Sequence, residues 1–83
     1  MVKLNNLFVG NLSSDTTYTQ LADHFIKIGK VLNSKVVIGR DGLCKGYGYI
    51  EMATEEDALE AMEKLNHTKI NGMKIEIREA KPQ

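Results

Sequence analysis

The chain has 83 residues, of which 42% are hydrophobic and 27% charged, and its eleven basic residues balance eleven acidic ones. This length and composition predict one small globular domain over residues 1–83, with a core over about residues 6–80, and exclude a disordered tail. No apolar run reaches the roughly 18 residues of a membrane-spanning helix, no signal-peptide pattern precedes the first predicted strand, and the single cysteine agrees with a reducing compartment.

The first predicted element is a short strand over residues 7–10, followed by a polar loop over residues 11–16. Strand side chains alternate between the two faces of a sheet, so Leu7 and Val9 share one face and Phe8 lies on the other. The apolar pair suits a core. Phe8 is therefore expected on the opposite face of the sheet that this strand joins.

A helix is predicted next, because Thr17 and Gln20 have the spacing of a capping box, a hydroxyl at the helix start and an amide three residues later. Gly29 is expected to end this helix. Its buried stripe, at positions i, i+4 and i+7, is predicted to consist of Leu21, Phe25 and Ile28.

Residues 31–38 are rich in β-branched side chains and predict a second strand. Residues 39–42, Gly-Arg-Asp-Gly, have turn chemistry, so this strand should form a hairpin with a third strand over residues 45–52. In the second strand we expect Ser34, Val36 and Ile38 to face the helices and Lys35 and Val37 to face outward.

The third strand reads Lys-Gly-Tyr-Gly-Tyr-Ile-Glu-Met and separates two kinds of side chain. Tyr47, Tyr49 and Glu51 share one face, whereas the residues between them, Gly48, Ile50 and Met52, are small or apolar and suit a core. Two flat rings on a rigid sheet, with a lysine at the start of the strand, are suited to stacking the bases of a single-stranded nucleic acid.

A second helix is predicted to begin at Thr54, whose hydroxyl can cap it. Three carboxylates follow Thr54 in the first turn, where the helix dipole favours them. Its apolar stripe is predicted to be Ala58, Ala61, Met62 and Leu65. Residues 66–69 are expected to connect it to a tight turn at residues 71–72 and a last strand over residues 73–78. In that strand Ile75 and Ile77 should face inward, and Lys74, Glu76 and Arg78 outward.

The predicted order β-α-β-β-α-β is that of the α+β, ferredoxin-like sandwich, a four-stranded antiparallel sheet with two helices on one face. The first and third strands fall in the centre of this sheet, so Phe8 should lie beside Tyr47 and Tyr49 on the uncovered face. These are three of only five aromatic residues in the chain. Packing on the sheet alone is one explanation of their position, but exposing three rings in so small a domain favours a ligand.

The chain resembles the RNA recognition motif family over essentially its whole length. Residues 7–12 match the strand-one hexamer of the family, and residues 45–52 match its octamer, with Met52 where an aromatic residue is usual. Ser34 also departs from the family, which usually has a larger apolar residue there. The resemblance implies that Phe8, Tyr47 and Tyr49 stack on RNA bases and that Lys45 meets phosphate. A shorter similarity to the scaffold-attachment-factor branch covers residues 65–68, 70–72 and 79–81.

Other functions found on this fold lack their residues in this chain. The loop over residues 10–16 has neither the arginine of acylphosphatase-like enzymes nor the Cys-x-x-Cys of heavy-metal-binding domains. The pair Gly46 and Gly48 lacks the third glycine of a dinucleotide loop, and His24 and His67 have no partner at ligand spacing. We therefore expect no enzymatic activity, no metal and no cofactor.

The net charge of zero predicts few phosphate contacts. The second helix is the acidic part of the chain, because residues 54–65 contain five carboxylates and one lysine. The rest of the chain has ten basic residues and six acidic ones. The phosphate contacts expected from the remainder are Lys35, Arg40, Lys45 and Arg78, for which the alternative is an ordinary solvated charge.

We therefore predict a monomeric, non-catalytic module of RNA processing or regulation that binds single-stranded RNA on its open sheet face. Single-stranded DNA is the alternative nucleic acid. The alternative function is protein–protein interaction through the sheet or a helix face, because some family members bury this face against a partner chain. An intracellular location is expected, in the nucleus rather than the cytoplasm.

Overall fold

The computed structural model of the chain describes residues 5–80. Its elements, in chain order, are β1 (Asn6–Gly10), α1 (Tyr18–Phe25), β2 (Val31–Ile38), β3 (Cys44–Met52), α2 (Glu55–Leu65), β4 (Lys69–Ile70), β5 (Met73–Lys74) and β6 (Glu76–Glu79). The two ends of the predicted domain, and residue 81 of the scaffold-attachment-factor similarity, lie outside the described residues. Within residues 5–80 no helix is both long enough and apolar enough to cross a membrane.

The main sheet has four antiparallel strands in the order β2-β3-β1-β6. This confirms the predicted ferredoxin-like sandwich, with β1 and β3 at its centre. Both helices pack on one face, where their buried residues join Leu7, Val9 and Ile50 in a single core. The opposite face, which carries Phe8, is left uncovered by the helices.

Close packing of α1 on this sheet depends on Gly48 in β3. A Cβ atom added at this position would collide with the backbone oxygen of Lys35 and lie 3.3 Å from Leu21 Cδ2. Only hydrogen fits between the β2 backbone and the helix. The missing side chain therefore sets both the spacing of β2 and β3 and the depth at which Leu21 is buried.

The capping box of α1 is confirmed, but the helix ends earlier than predicted. Thr17 Oγ1 accepts the Gln20 N–H at 3.2 Å, and Gln20 Oε1 accepts the Thr17 N–H at 3.1 Å. The helix ends at Phe25 rather than at Gly29, and the Ile28 N–H bonds to the Phe25 carbonyl three residues back. The β-branched residues here have low helix propensity, and the tighter turn still packs Ile28 against the core.

The predicted last strand over residues 73–78 is two strands. β5 pairs with β4 around a two-residue turn in which Asn71 and Gly72 both have positive φ, 52° and 83°, whereas β6 pairs with β1. Ile75 separates them, because its N–H bonds to the Thr68 carbonyl and its carbonyl accepts the His67 N–H. The predicted connector over residues 66–69 is thus partly a strand, and Ile75 and Ile77 face inward as expected.

The second strand follows the predicted alternation, but its end extends past the core. Val36 packs against the core, and the Ser34 hydroxyl donates to the Tyr18 carbonyl at 2.8 Å. Ile38 pairs with the buried Cys44 and so faces the helix side as predicted, yet it is 51% exposed. The register shifts between Val36 and Ile38, because β3 has extra residues opposite this part of β2. The shift places the end of β2 beyond the core.

Candidate nucleic-acid interface

The register of the sheet places four predicted site residues in one row across all four strands. Phe8 of β1 pairs with Tyr49 of β3 on one side and with Arg78 of β6 on the other. Lys35 of β2 pairs with Tyr49 and completes the row. Residues directly opposite in antiparallel strands share a face. The open face therefore carries two rings side by side with a cation at each end.

The third predicted ring joins this pair from the neighbouring row. The Phe8 and Tyr47 centroids lie 5.7 Å apart with their planes tilted by 31°, so these rings form nearly one platform. Tyr49 stands on edge, at 68° to Phe8 and 88° to Tyr47. The three rings thus form one cluster, in which the 39% exposed Tyr49 borders the flatter pair.

Gly10 makes room for this platform. It is the register partner of Tyr47, and a Cβ atom added at Gly10 would lie 3.0 Å from Phe8 Cε1. The Phe8 ring therefore lies over a backbone without a side chain, on the side of Tyr47. Sequence alternation predicts the face that Phe8 occupies, but the direction in which its ring extends follows from this glycine.

The predicted phosphate contacts fall into two groups. Lys35 and Arg78 flank the rings, and Arg78 Nη2 forms an ion pair with Glu76 Oε2 at 3.5 Å. Arg40 and Lys45 lie apart from this row at the β2–β3 turn, where a Cβ atom added at Gly39 would come within 3.2 Å of Lys45 Cε. The structure therefore brings two of the four cations to the ends of the ring row and two to the hairpin turn.

A polar row borders the rings on the other side. Glu51 of β3 pairs with Asn6 of β1 and Asn33 of β2, so all three share the open face with Tyr49. Neither asparagine was predicted as a site residue. The two-residue alternation from Phe8 to Asn6 could have indicated the first, but the pairing of Asn33 depends on a register irregularity after Val31 that the sequence does not reveal.

The two histidines take no part in the ring cluster. His24 Nε2 lies 2.7 Å from Thr68 Oγ1, and this hydroxyl donates to the Leu65 carbonyl. Burial, and secondarily the nearby Lys27 charge, lower the pKa of His24 below its usual value of 6.5. His67 occupies a turn with positive φ. Among the described residues there is no group of three His, Cys, Asp or Glu side chains that could hold a metal.

A groove lies on the helix side of the sheet edge formed by β2. Its volume is about 640 Å³, and Tyr18, Ile38 and Leu43 are among the residues that line it. Tyr18 is 61% exposed there. None of the three rings lines this groove, although Asn33 and Lys35 of the edge strand border it.

The family follows from a match to the model of the RNA recognition motif over residues 7–76. The chain belongs to the RNA recognition motif family. This RNA recognition motif is 37% identical over 75 residues to cleavage stimulation factor subunit 2 of Homo sapiens. The aligned region covers 89% of the chain and 13% of that protein. It is 39% identical over 70 residues, 84% of the chain and 12% of the relative, to a Candida glabrata protein named polyadenylate-binding protein, cytoplasmic and nuclear.

A solved Sxl-lethal protein/RNA complex has the same fold as this RNA recognition motif, with a TM-score of 0.87 and 25% identity over 95% of the chain and 48% of the solved chain. The chain spans 11% to 27% of the length of the curated relatives that it matches. The shorter similarity to the scaffold-attachment-factor branch stays a prediction.

Proposed function

We propose that the open sheet face binds single-stranded RNA, with bases stacking on Phe8, Tyr47 and Tyr49. The observation that carries this proposal is the row of Lys35, Tyr49, Phe8 and Arg78 across the face that the helices do not cover. Aromatic side chains offer stacking surfaces to bases, and flanking cations meet the phosphates that join those bases. The row combines both features in the width of one sheet.

Single strands are the form of RNA that this face can bind. A flat sheet can stack only bases that are already splayed out, whereas a duplex keeps its bases stacked on one another. The deep, narrow major groove of A-form RNA also excludes a sheet. With a net charge of zero, the domain has little electrostatic attraction for a duplex backbone.

Stacking is therefore expected to supply most of the affinity. Each stacked base contributes about 1–3 kcal/mol, and a small face accommodates only a few bases. A single module of this kind binds tightly only when further modules raise its effective concentration. Arg40 and Lys45 at the hairpin turn are proposed to contact the RNA backbone beyond the ring row.

We further propose a monomeric, non-catalytic role in RNA processing or regulation. Relatives named for polyadenylate binding and for cleavage stimulation support this role. One relative is named both cytoplasmic and nuclear. For this chain we propose a location in the nucleus. Single-stranded DNA is proposed as a second ligand, because ring stacking does not distinguish the two sugars. A protein partner on this face is not favoured, since the aromatic cluster is retained.

The proposal is tested by selecting from a pool of random single-stranded RNAs and then measuring binding of the selected sequences by fluorescence anisotropy. We expect enrichment of short sequences and saturable binding at low salt. Binding of the same sequences annealed to their complements serves as the matched control. An absence of RNA binding at low salt would favour the protein-interaction alternative.

A further inference from the structure

Glu51 places a carboxylate beside the rings. Its neighbours in β3, Ile50 and Met52, are fully buried on the helix side, so Glu51 extends to the open face. Among residues 5–80 it has no ion-pair partner. Glu76, the carboxylate at the opposite end of this face, is paired with Arg78 instead. Glu51 is therefore a negative charge without an ion pair among residues 5–80, on a surface proposed to bind a polyanion.

The surroundings of Glu51 are suited to the edge of a base. Tyr49 lies two residues along the same strand, about 7 Å away at the usual rise per residue. Asn6 and Asn33 lie directly across from Glu51 on the two neighbouring strands, at typical cross-strand distances of about 5 Å. A base stacked on Tyr49 would thus extend its edge toward one carboxylate between two amides.

A carboxylate accepts hydrogen bonds but donates none, and it repels phosphate. Among the bases, guanine offers two adjacent donors on its Watson–Crick edge, N1–H and the N2 amino group, which a carboxylate can accept together. Adenine and cytosine each offer one amino group on that edge. Uracil offers one N–H between two carbonyl oxygens, and these oxygens would be repelled by Glu51.

We propose that Tyr49, Glu51, Asn6 and Asn33 form a base subsite that selects guanine and rejects uracil. The subsite rests on the proposed function, because a base must first stack on Tyr49. Glu51 accepts both guanine donors, and the two asparagine amides can donate to the guanine O6 and N7 acceptors or orient the carboxylate. This subsite gives the Glu51 carboxylate, which would otherwise only repel RNA phosphates on this face, a specific ligand.

The test compares selection from one random RNA pool by the unaltered protein and by Glu51→Gln. We expect the unaltered protein to enrich guanine at one position, and a guanine-to-uracil change there to weaken binding by roughly 5- to 100-fold. Glu51→Gln should reduce this discrimination to less than about threefold while uracil-containing sequences bind as well or better. Glu51→Asp, which keeps the charge but shortens the side chain, should also lose most of the discrimination.

Glu63→Gln is the matched control, since Glu63 is an exposed carboxylate on α2. It removes the same charge and should leave the base preference unchanged. Thermal unfolding of each variant establishes that the fold is retained. A protein that binds RNA without base preference, or whose guanine preference survives in Glu51→Gln, overturns the subsite and leaves the proposed function standing. A protein that binds no RNA refutes the proposed function itself.

Discussion

Phe8 of β1 and Tyr49 of β3 are register partners, and their ring centroids lie 5.8 Å apart in an edge-to-face arrangement. The two strands that hold these rings are also the centre of the sheet, and on their other face Leu7, Val9 and Ile50 are fully buried. The same strand pair therefore forms the middle of the core and the middle of the open face. Because the two faces are separate, binding and stability can be changed independently.

The first prediction follows from this separation. Tyr49→Ala and Phe8→Ala should each weaken binding of single-stranded RNA by about 1–3 kcal/mol, because each removes a stacking surface. Thermal unfolding should change little, since both rings lie outside the core. Titration of a selected RNA, followed by anisotropy, measures the loss.

Two variants serve as controls for this prediction. Tyr18→Ala removes an exposed tyrosine on the helix side and should not change RNA affinity. Phe25→Ala empties the core and should reduce the free energy of unfolding by about 3–5 kcal/mol. If Tyr49→Ala bound RNA as tightly as the unaltered protein, the assignment of the binding face would be wrong.

The second prediction concerns Gly48. Gly48→Ala places a methyl group against the Lys35 carbonyl and the Leu21 side chain, so β2 and α1 must both shift. Overpacking of this kind costs about 1–3 kcal/mol of folding free energy. Chemical denaturation of the variant measures the loss, and Ser14→Ala, at an exposed loop position, provides a comparison. An unchanged unfolding midpoint for Gly48→Ala would show that the strand–helix contact is looser than described.

Much of this arrangement follows from local patterns. Alternation in β3 separates Tyr47 and Tyr49 from Ile50 because strand side chains change face at every residue. The capping hydroxyls of Thr17 and Thr54 mark both helix starts for an equally local reason.

Features that depend on tertiary pairing could not be predicted in the same way. The division of the last strand at Ile75 depends on its backbone hydrogen bonds to His67 and Thr68 in the preceding segment. The positions of Asn33 and Ile38 depend on register shifts in β2. The row of Lys35, Tyr49, Phe8 and Arg78 likewise becomes visible only when the register of all four strands is known.

The third prediction concerns pH and His24. Its pKa is lowered in the folded protein, by burial first and by Lys27 second, so the unfolded chain binds a proton more readily. The corresponding contribution to stability is present above the unfolded pKa of about 6.5 and is lost as the pH falls through the lower folded pKa. The free energy of unfolding, compared between the unaltered protein and His24→Gln, should therefore show a difference that shrinks from pH 7.5 to pH 5. A difference that is constant over this range would contradict the shift.

The fourth prediction concerns salt. Each phosphate contact to a single strand contributes about −0.7 to the slope of log affinity against log salt, and only four cations are proposed as contacts. The slope should therefore be no steeper than about −3. Lys35→Gln should make it shallower by about 0.7, whereas Lys64→Gln, on α2, should leave it unchanged. A slope steeper than about −4 would mean that charge rather than stacking dominates the affinity.

The most direct test of the open-face account is an amide chemical-shift titration of the ¹⁵N-labelled protein with a short selected single-stranded RNA. The account predicts that the largest shifts occur in β1 and β3, around Phe8, Tyr47 and Tyr49, and extend to Lys35 and Arg78. It predicts only small shifts in α1 and α2, and much weaker changes when the same RNA is annealed to its complement. Shifts concentrated on the helices, or equal responses to the single strand and the duplex, would contradict binding by base stacking on this face.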